Sequence, residues 1–132
     1  MGYFIGYRHT GADPDRLEQL LPAVRDAIES SGEDAYCTYF DEEKFQRSGY
    51  RPNDIMQHAF EKIDSLGGLF VVMDGPDKSE GMLIEAGYCL AKNIVFIVAK
   101  RSGVSTYLDQ LTVKSFEYND VEDLVQKIGE TL

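Results

Sequence analysis

Two continuous apolar runs, Leu69-Phe-Val-Val-Met73 and Ile94-Val-Phe-Ile-Val98, constrain the fold more than any other feature of the chain. Neither alternates polar with apolar residues. Each therefore suits a strand covered on both faces, as in the parallel sheet of an α/β protein. The segments around them carry helical spacing. Tyr3-Phe-Ile5 reads as a first strand ending in Gly6, and Asp13-Pro14 as a helix start with proline at the first position. Leu17, Leu20, Leu21, Val24 and Ile28 follow at helical intervals until Gly32, and Pro22 within the pattern predicts a kink or restart. A weaker second strand is expected around Ala35-Tyr-Cys-Thr-Tyr39. After it come a polar loop from Asp41 to Pro52 and a helix from Asn53 to Leu66 that Gly67-Gly68 breaks. Leu108 to Leu111 predicts a short helix, Val113 to Tyr118 a fifth strand, and Val121 to Leu132 a last helix. Strand–helix alternation with short connections predicts a doubly wound five-stranded parallel sheet in the flavodoxin-like order 2-1-3-4-5. Helices are expected on both faces, in a single domain spanning residues 1–132.

The net charge of −10 argues against nucleic-acid polymers as partners, although backbone amides and a few local arginines can still hold one phosphate. No stretch approaches the roughly 20 apolar residues of a membrane span, and no basic-then-apolar leader is visible, so a cytoplasmic protein without membrane association is expected. Cys37 and Cys89 stand in no metal-ligand spacing and read as reduced thiols; neither a metal nor a cofactor is expected.

In a sheet ordered 2-1-3-4-5, the chain reverses direction between strands 1 and 3, and ligands gather in the crevice at their C-terminal ends. Two loops meet there, Gly6-Tyr-Arg-His-Thr-Gly11 and Asp74-Gly-Pro-Asp-Lys-Ser79. The first offers glycines for close approach, together with Tyr7, Arg8, His9 and Thr10. The second enters a helix whose predicted N-cap is Ser79; the free amides of Glu80 and Gly81 suit an anion. Within that helix Glu85 is the lone charge from Met82 to Ala91, sharing a face with Met82 and Cys89. An ionised group in such company is costly unless something requires it. Tyr3 is a further candidate ligand-binding residue. In the polar loop, Arg47 and Arg51 can reach a phosphate, while Phe45 and Tyr50 can stack on a base. His58 shares a helix flank with Asp54 and Glu61, a pattern equally that of a solvated polar face.

Ser79-Glu-Gly-Met-Leu-Ile-Glu85-Ala-Gly-Tyr-Cys-Leu-Ala-Lys-Asn93 resembles the nucleoside 2-deoxyribosyltransferase family, including its 2′-deoxynucleoside 5′-phosphate N-hydrolase branch. Weaker similarity covers Tyr3-Phe-Ile-Gly6 and Leu69 to Met73. The resemblance implies that Glu85 is the nucleophile attacking the anomeric carbon of a (deoxy)ribosyl group. It also implies that Ser79 holds a 5′-phosphate, that the loop around Gly6 covers the nucleotide, and that Tyr3 belongs to the pocket. Where the family usually carries a second acid for base protonation, this chain has Ala59. That role is left open among His58, Glu61 and Asp54. Ser79, Arg8 and the helix amides favour a monophosphate, and hydrolysis over transfer. The opening Phe4-Ile-Gly-Tyr-Arg-His-Thr-Gly-Ala-Asp13 also looks like the start of a TIR domain, whose members cleave NAD with a glutamate or only bind partners. A flavodoxin-type FMN carrier is a further alternative, but it leaves Glu85 without a purpose. The partner expected is thus a small nucleoside or nucleotide. Leu83, Ile84, Tyr88 and Leu90 spread around the Glu85 helix, so a homodimer or higher homo-oligomer with that helix near the contact is also expected.

Overall fold

A computed structural model describes residues 1–9, 11–77, 79–112 and 114–132. Five parallel strands lie in the order β2-β1-β3-β4-β5: β1 Gly2–Gly6, β2 Asp34–Tyr36, β3 Gly68–Met73, β4 Val95–Arg101 and β5 Lys114–Tyr118. This is the doubly wound α/β architecture predicted from the apolar runs. β3 is buried at every residue, as a central strand covered on both faces must be. Phe4 stands beside Leu69 and Leu69 beside Phe96, so successive side chains enter opposite cores. One core sets Ile5, Phe70, Val72 and Ile97 against helices α1 (Pro14–Ser30) and α5 (Val121–Thr131). The other sets Phe4, Leu69, Val71 and Val98 against α3 (Pro52–Leu66) and α4 (Glu80–Lys92).

Local chemistry explains the element boundaries. Asp13 caps α1 by accepting from the Asp15 amide at 3.0 Å, and Pro14 occupies the first turn, where its missing N–H costs nothing. The helix runs through Pro22 without a restart; buried Leu21 and Val24 on either side tie both halves to the sheet. Gly67, with φ +92°, ends α3 in the left-handed conformation and lets the chain turn directly into β3. The predicted polar loop from Asp41 to Pro52 contains regular structure. A 3-10 turn, Thr38–Asp41, leads into helix α2, Glu42–Arg47. Its anchor is Phe45, buried and stacked on Tyr50 with ring centroids 5.1 Å apart. The fifth strand is described from Lys114; Val113, its expected first residue, lies outside the described residues, as do Thr10 and Lys78. Among the described residues no helix is long and apolar enough to cross a membrane.

Candidate active site

Ser79 is the N-cap of α4, its Oγ accepting from the Met82 amide at 3.3 Å. Helical spacing then turns Met82, Ala86 and Cys89 into the core, and Glu85 lies on the same inward flank. Gly6, the last residue of β1, faces it. A Cβ added at Gly6 would stand 3.1 Å from Glu85 Oε1, with Leu69 and Met82 also close. The carboxyl group therefore rests against bare backbone, and a larger residue would crowd it. Among the described residues Glu85 has no hydrogen-bond or ion-pair partner. Burial alone perturbs it, raising its pKa from the ordinary 4.5 to about 8.

Glu85 opens into a cavity of about 530 Å³ at the C-terminal end of β1, within the range of small-molecule sites, whereas the end of β3 at Val72 and Met73 lines a smaller adjoining cleft. Gly6, Tyr7, His9, Ser79 and Gly81 line it too. Arg8 does not. Its guanidinium pairs with Asp77 at 2.6 Å and lines an adjoining cleft of about 180 Å³ on the α1 side. In that cleft Arg16 grips Asp74 through bonds of 2.7 and 2.9 Å, and the Tyr118 hydroxyl donates to Asp74 at 2.7 Å. Burial opposes ionisation of Asp74, yet Arg16 and Tyr118 hold its carboxyl below the usual range. Tyr3 is not brought to the cavity. It lies three residues, about 10 Å, back along β1 from Gly6. Its ring covers Gly68 at the start of β3, and burial followed by Glu33 raises its phenol pKa.

The opposite wall comes mostly from the segment expected to be loop, Asp41 to Pro52, with Thr38 from the expected second strand, which ends instead at Tyr36, and Ile55 and Met56 from α3. Thr38, Glu42, Phe45 and Gln46 contribute from the 3-10 turn and α2, and Tyr50, Ile55 and Met56 complete an aromatic and apolar end. Glu42 Oε1 lies 2.9 Å from His9 Nδ1 and accepts a long hydrogen bond from the Tyr7 hydroxyl at 3.4 Å. Burial first, then Cys37 and Glu42, push the Tyr7 phenol well above its ordinary value. Glu42 and Gln46 were missed because Asp41-Glu42-Glu43 reads as solvated loop; one signal was Phe45 and Tyr50, which needed something to bury them.

None of the three residues offered for base protonation reaches the cavity. His58 sits behind the Phe45–Tyr50 pair, its Nε2 2.9 Å from the Tyr36 hydroxyl, which itself lies 2.7 Å from Asp41. Burial first, then Lys62, lowers its pKa. Asp54 accepts from the Arg51 amide at 2.8 Å in the first turn of α3, and Glu61 borders an outer hollow beside His58. Ala59 is buried in the core. Arg47 is exposed and Arg51 pairs with Asp54 at 3.4 Å; neither lines the cavity. Among the described residues no cluster of His, Cys, Asp and Glu is arranged to hold a metal.

The whole chain can be superposed on solved structures. A CMP N-glycosidase of Clostridium botulinum, BcmB, matches with a TM-score of 0.72 at 15% identity, over 98% of this chain and 99% of that one. The chain is similar in fold to an N-glycosidase. A conserved protein from Enterococcus faecalis V583 matches over the full length of both chains, with a TM-score of 0.69 at 18% identity. A flavodoxin-like domain from Synechococcus matches at 0.54 and 16% identity, over 98% and 92% of the two chains. No protein-family model and no curated protein matches the sequence. At such identities the likeness carries the architecture. The chemistry must be argued from the cavity itself.

Proposed function

We propose that this protein cleaves the N-glycosidic bond of a (deoxy)nucleoside 5′-monophosphate or its nucleoside, with Glu85 as the nucleophile and water as the favoured acceptor. The carrying observation is Glu85 itself, an inward-facing carboxyl with no partner among the described residues, resting on Gly6 and lining a nucleotide-sized cavity. Leaving of the base builds positive charge at the anomeric carbon. A carboxylate short of solvation gains most from that charge, so the cost of ionising Glu85 is recovered as the bond breaks. Its oxygen then captures the sugar as a glycosyl ester, which water hydrolyses. The Ser79 hydroxyl and the open amides at the start of α4 suit the 5′-phosphate, and the Phe45–Tyr50 wall suits the flat face of a base. The CMP N-glycosidase among the structural neighbours supports the same bond as the target.

The test is to incubate purified protein with deoxynucleoside monophosphates, ribonucleotides, nucleosides and NAD, and to separate free base by chromatography. Release from monophosphates is expected, and Glu85→Ala should lower it at least ~10³-fold. Turnover like wild type by that variant would reject the nucleophile. Release from NAD alone would move the protein to the TIR-like reading, and transfer to an added base would make it a transferase.

A further inference from the structure

A departing base is a poor leaving group unless it is protonated, and the residues expected to supply that proton lie outside the cavity. The cavity itself holds another arrangement. His9, on the loop after β1, and Glu42, on α2, line it from different walls than α4, which brings Glu85. His9 Nδ1 lies 2.9 Å from Glu42 Oε1, an ion pair when the imidazole is protonated, and the Tyr7 hydroxyl approaches the same oxygen, its ring edge-on to the imidazole with centroids 6.2 Å apart. With Nδ1 turned to Glu42, Nε2 is the nitrogen left to exchange a proton with a ligand. Among the described residues nothing bonds to that Nε2. The nearest cation along the loop, Arg8, is engaged by Asp77. Of the other groups that line the cavity, Tyr7 is a phenol made less acidic by burial, and Glu42 is held as an acceptor.

We propose that His9, oriented by Glu42, is the catalytic acid that protonates the leaving base. This rests on Glu85 acting as the nucleophile. In the first step the Glu85 carboxylate forms a bond to the anomeric carbon while the glycosidic C–N bond breaks. The bonding pair goes to the base, which takes the proton of the His9 imidazolium at Nε2. In the second step a water oxygen bonds to the anomeric carbon and the Glu85 ester bond breaks. The surplus proton of that water returns to Nε2. Nucleotide and water become sugar phosphate and free base, and both side chains regain their starting states. Glu42 is a positioning residue: it aims the ring and stabilises the imidazolium.

The test compares two substrates for wild type and for His9→Gln, Glu42→Gln and Glu85→Ala. One is a deoxynucleoside 5′-monophosphate; the other is 4-nitrophenyl 2-deoxyribofuranoside 5-phosphate, whose nitrophenolate departs without a proton. His9→Gln should lower the first-turnover rate of base release from the nucleotide by ~10²–10³-fold. It should leave the first-turnover burst of nitrophenolate near wild type, because only the later hydrolysis of the Glu85 ester uses His9 with that substrate. Glu42→Gln should lower kcat on the nucleotide with little change in KM, and leave the first-turnover burst of nitrophenolate near wild type. His9 is 62% exposed, so its replacement leaves the fold intact. Equal losses in the first-turnover rates of both substrates, or no loss on the nucleotide, would overturn the assignment. Glu85→Ala should lose both substrates together, so retention of either by that variant marks failure of the nucleophile instead. A wild-type protein that turns over neither substrate overturns both.

Discussion

A carboxyl group held away from water is penalised only when ionised, and that asymmetry makes Glu85 measurable without any substrate. Its pKa rises from 4.5, the value expected for the unfolded chain, to about 8 in the fold. Between those values the folded state binds more protons than the unfolded one, so stability falls as pH rises through the window. Below it, Glu85 is protonated in both states and costs nothing. Glu85→Gln should therefore melt close to wild type near pH 4 and above it at pH 8–9. Allowing for partial solvent access, the gain at alkaline pH should be on the order of 2–3 kcal/mol, seen as several degrees in Tm. Melting curves of the pair across pH measure this directly; a constant offset, or none, would show that the carboxylate is solvated. The feature was visible in sequence because a charge in an apolar helix breaks a pattern. Glu42 breaks none: it stands in a run of three acids, and only the packing of Phe45 turns one of them into the cavity.

The N-terminus of α4 combines a structural and a ligand-binding role in Ser79, and two substitutions separate them. Ser79→Ala removes the bond to the Met82 amide and should cost about 1 kcal/mol in urea unfolding. Ser79→Asp keeps an oxygen acceptor at the cap and should leave stability near wild type, while placing a negative charge where the phosphate is expected. KM for monophosphates should then rise more than KM for nucleosides. Equal effects on both would remove the phosphate from this helix end. Elements with a strong internal period were legible: the apolar runs of β3 and β4, the heptad-like spacing of α1, and the cap, glycine and apolar flank of α4. Helix α2 was not, because its six residues are too short to show a period and its stability comes from Phe45 and Tyr50 packing across it. The cavity wall was lost with it. Tyr3 lies away from the cavity for a related reason: the strand was read correctly, but position along it decides how far a side chain lies from the C-terminal end, and Tyr3 packs on Gly68 at the start of β3.

Across the whole molecule, charge and apolar surface pull in opposite directions. A net charge of −10 keeps copies apart, yet the outer face of α4 exposes Leu83 at 43%, Ile84 at 49% and Leu90 at 44% around Gly87. A Cβ at Gly87 would meet nothing within 4 Å, so the fold itself does not require the glycine and a second helix has room to approach there. A two-fold axis near Gly87 would set two α4 helices antiparallel, with Leu83 of each copy near Leu90 of the other. The Glu80 end of one helix would then lie by the Lys92 end of its partner. We propose a second copy of the chain as the occupant of this face. Sedimentation at micromolar concentration should report a dimer, and added salt should strengthen it by screening the shared negative charge while leaving the apolar contact. Leu83→Asp combined with Ile84→Asp should yield a folded monomer, since both side chains point away from the core. Wild-type protein that sediments as a monomer at every salt concentration would remove the dimer. Because Glu85 lies on the inner face of the same helix, comparing base release by the monomeric variant with wild type then tests whether this contact also holds the nucleophile in place.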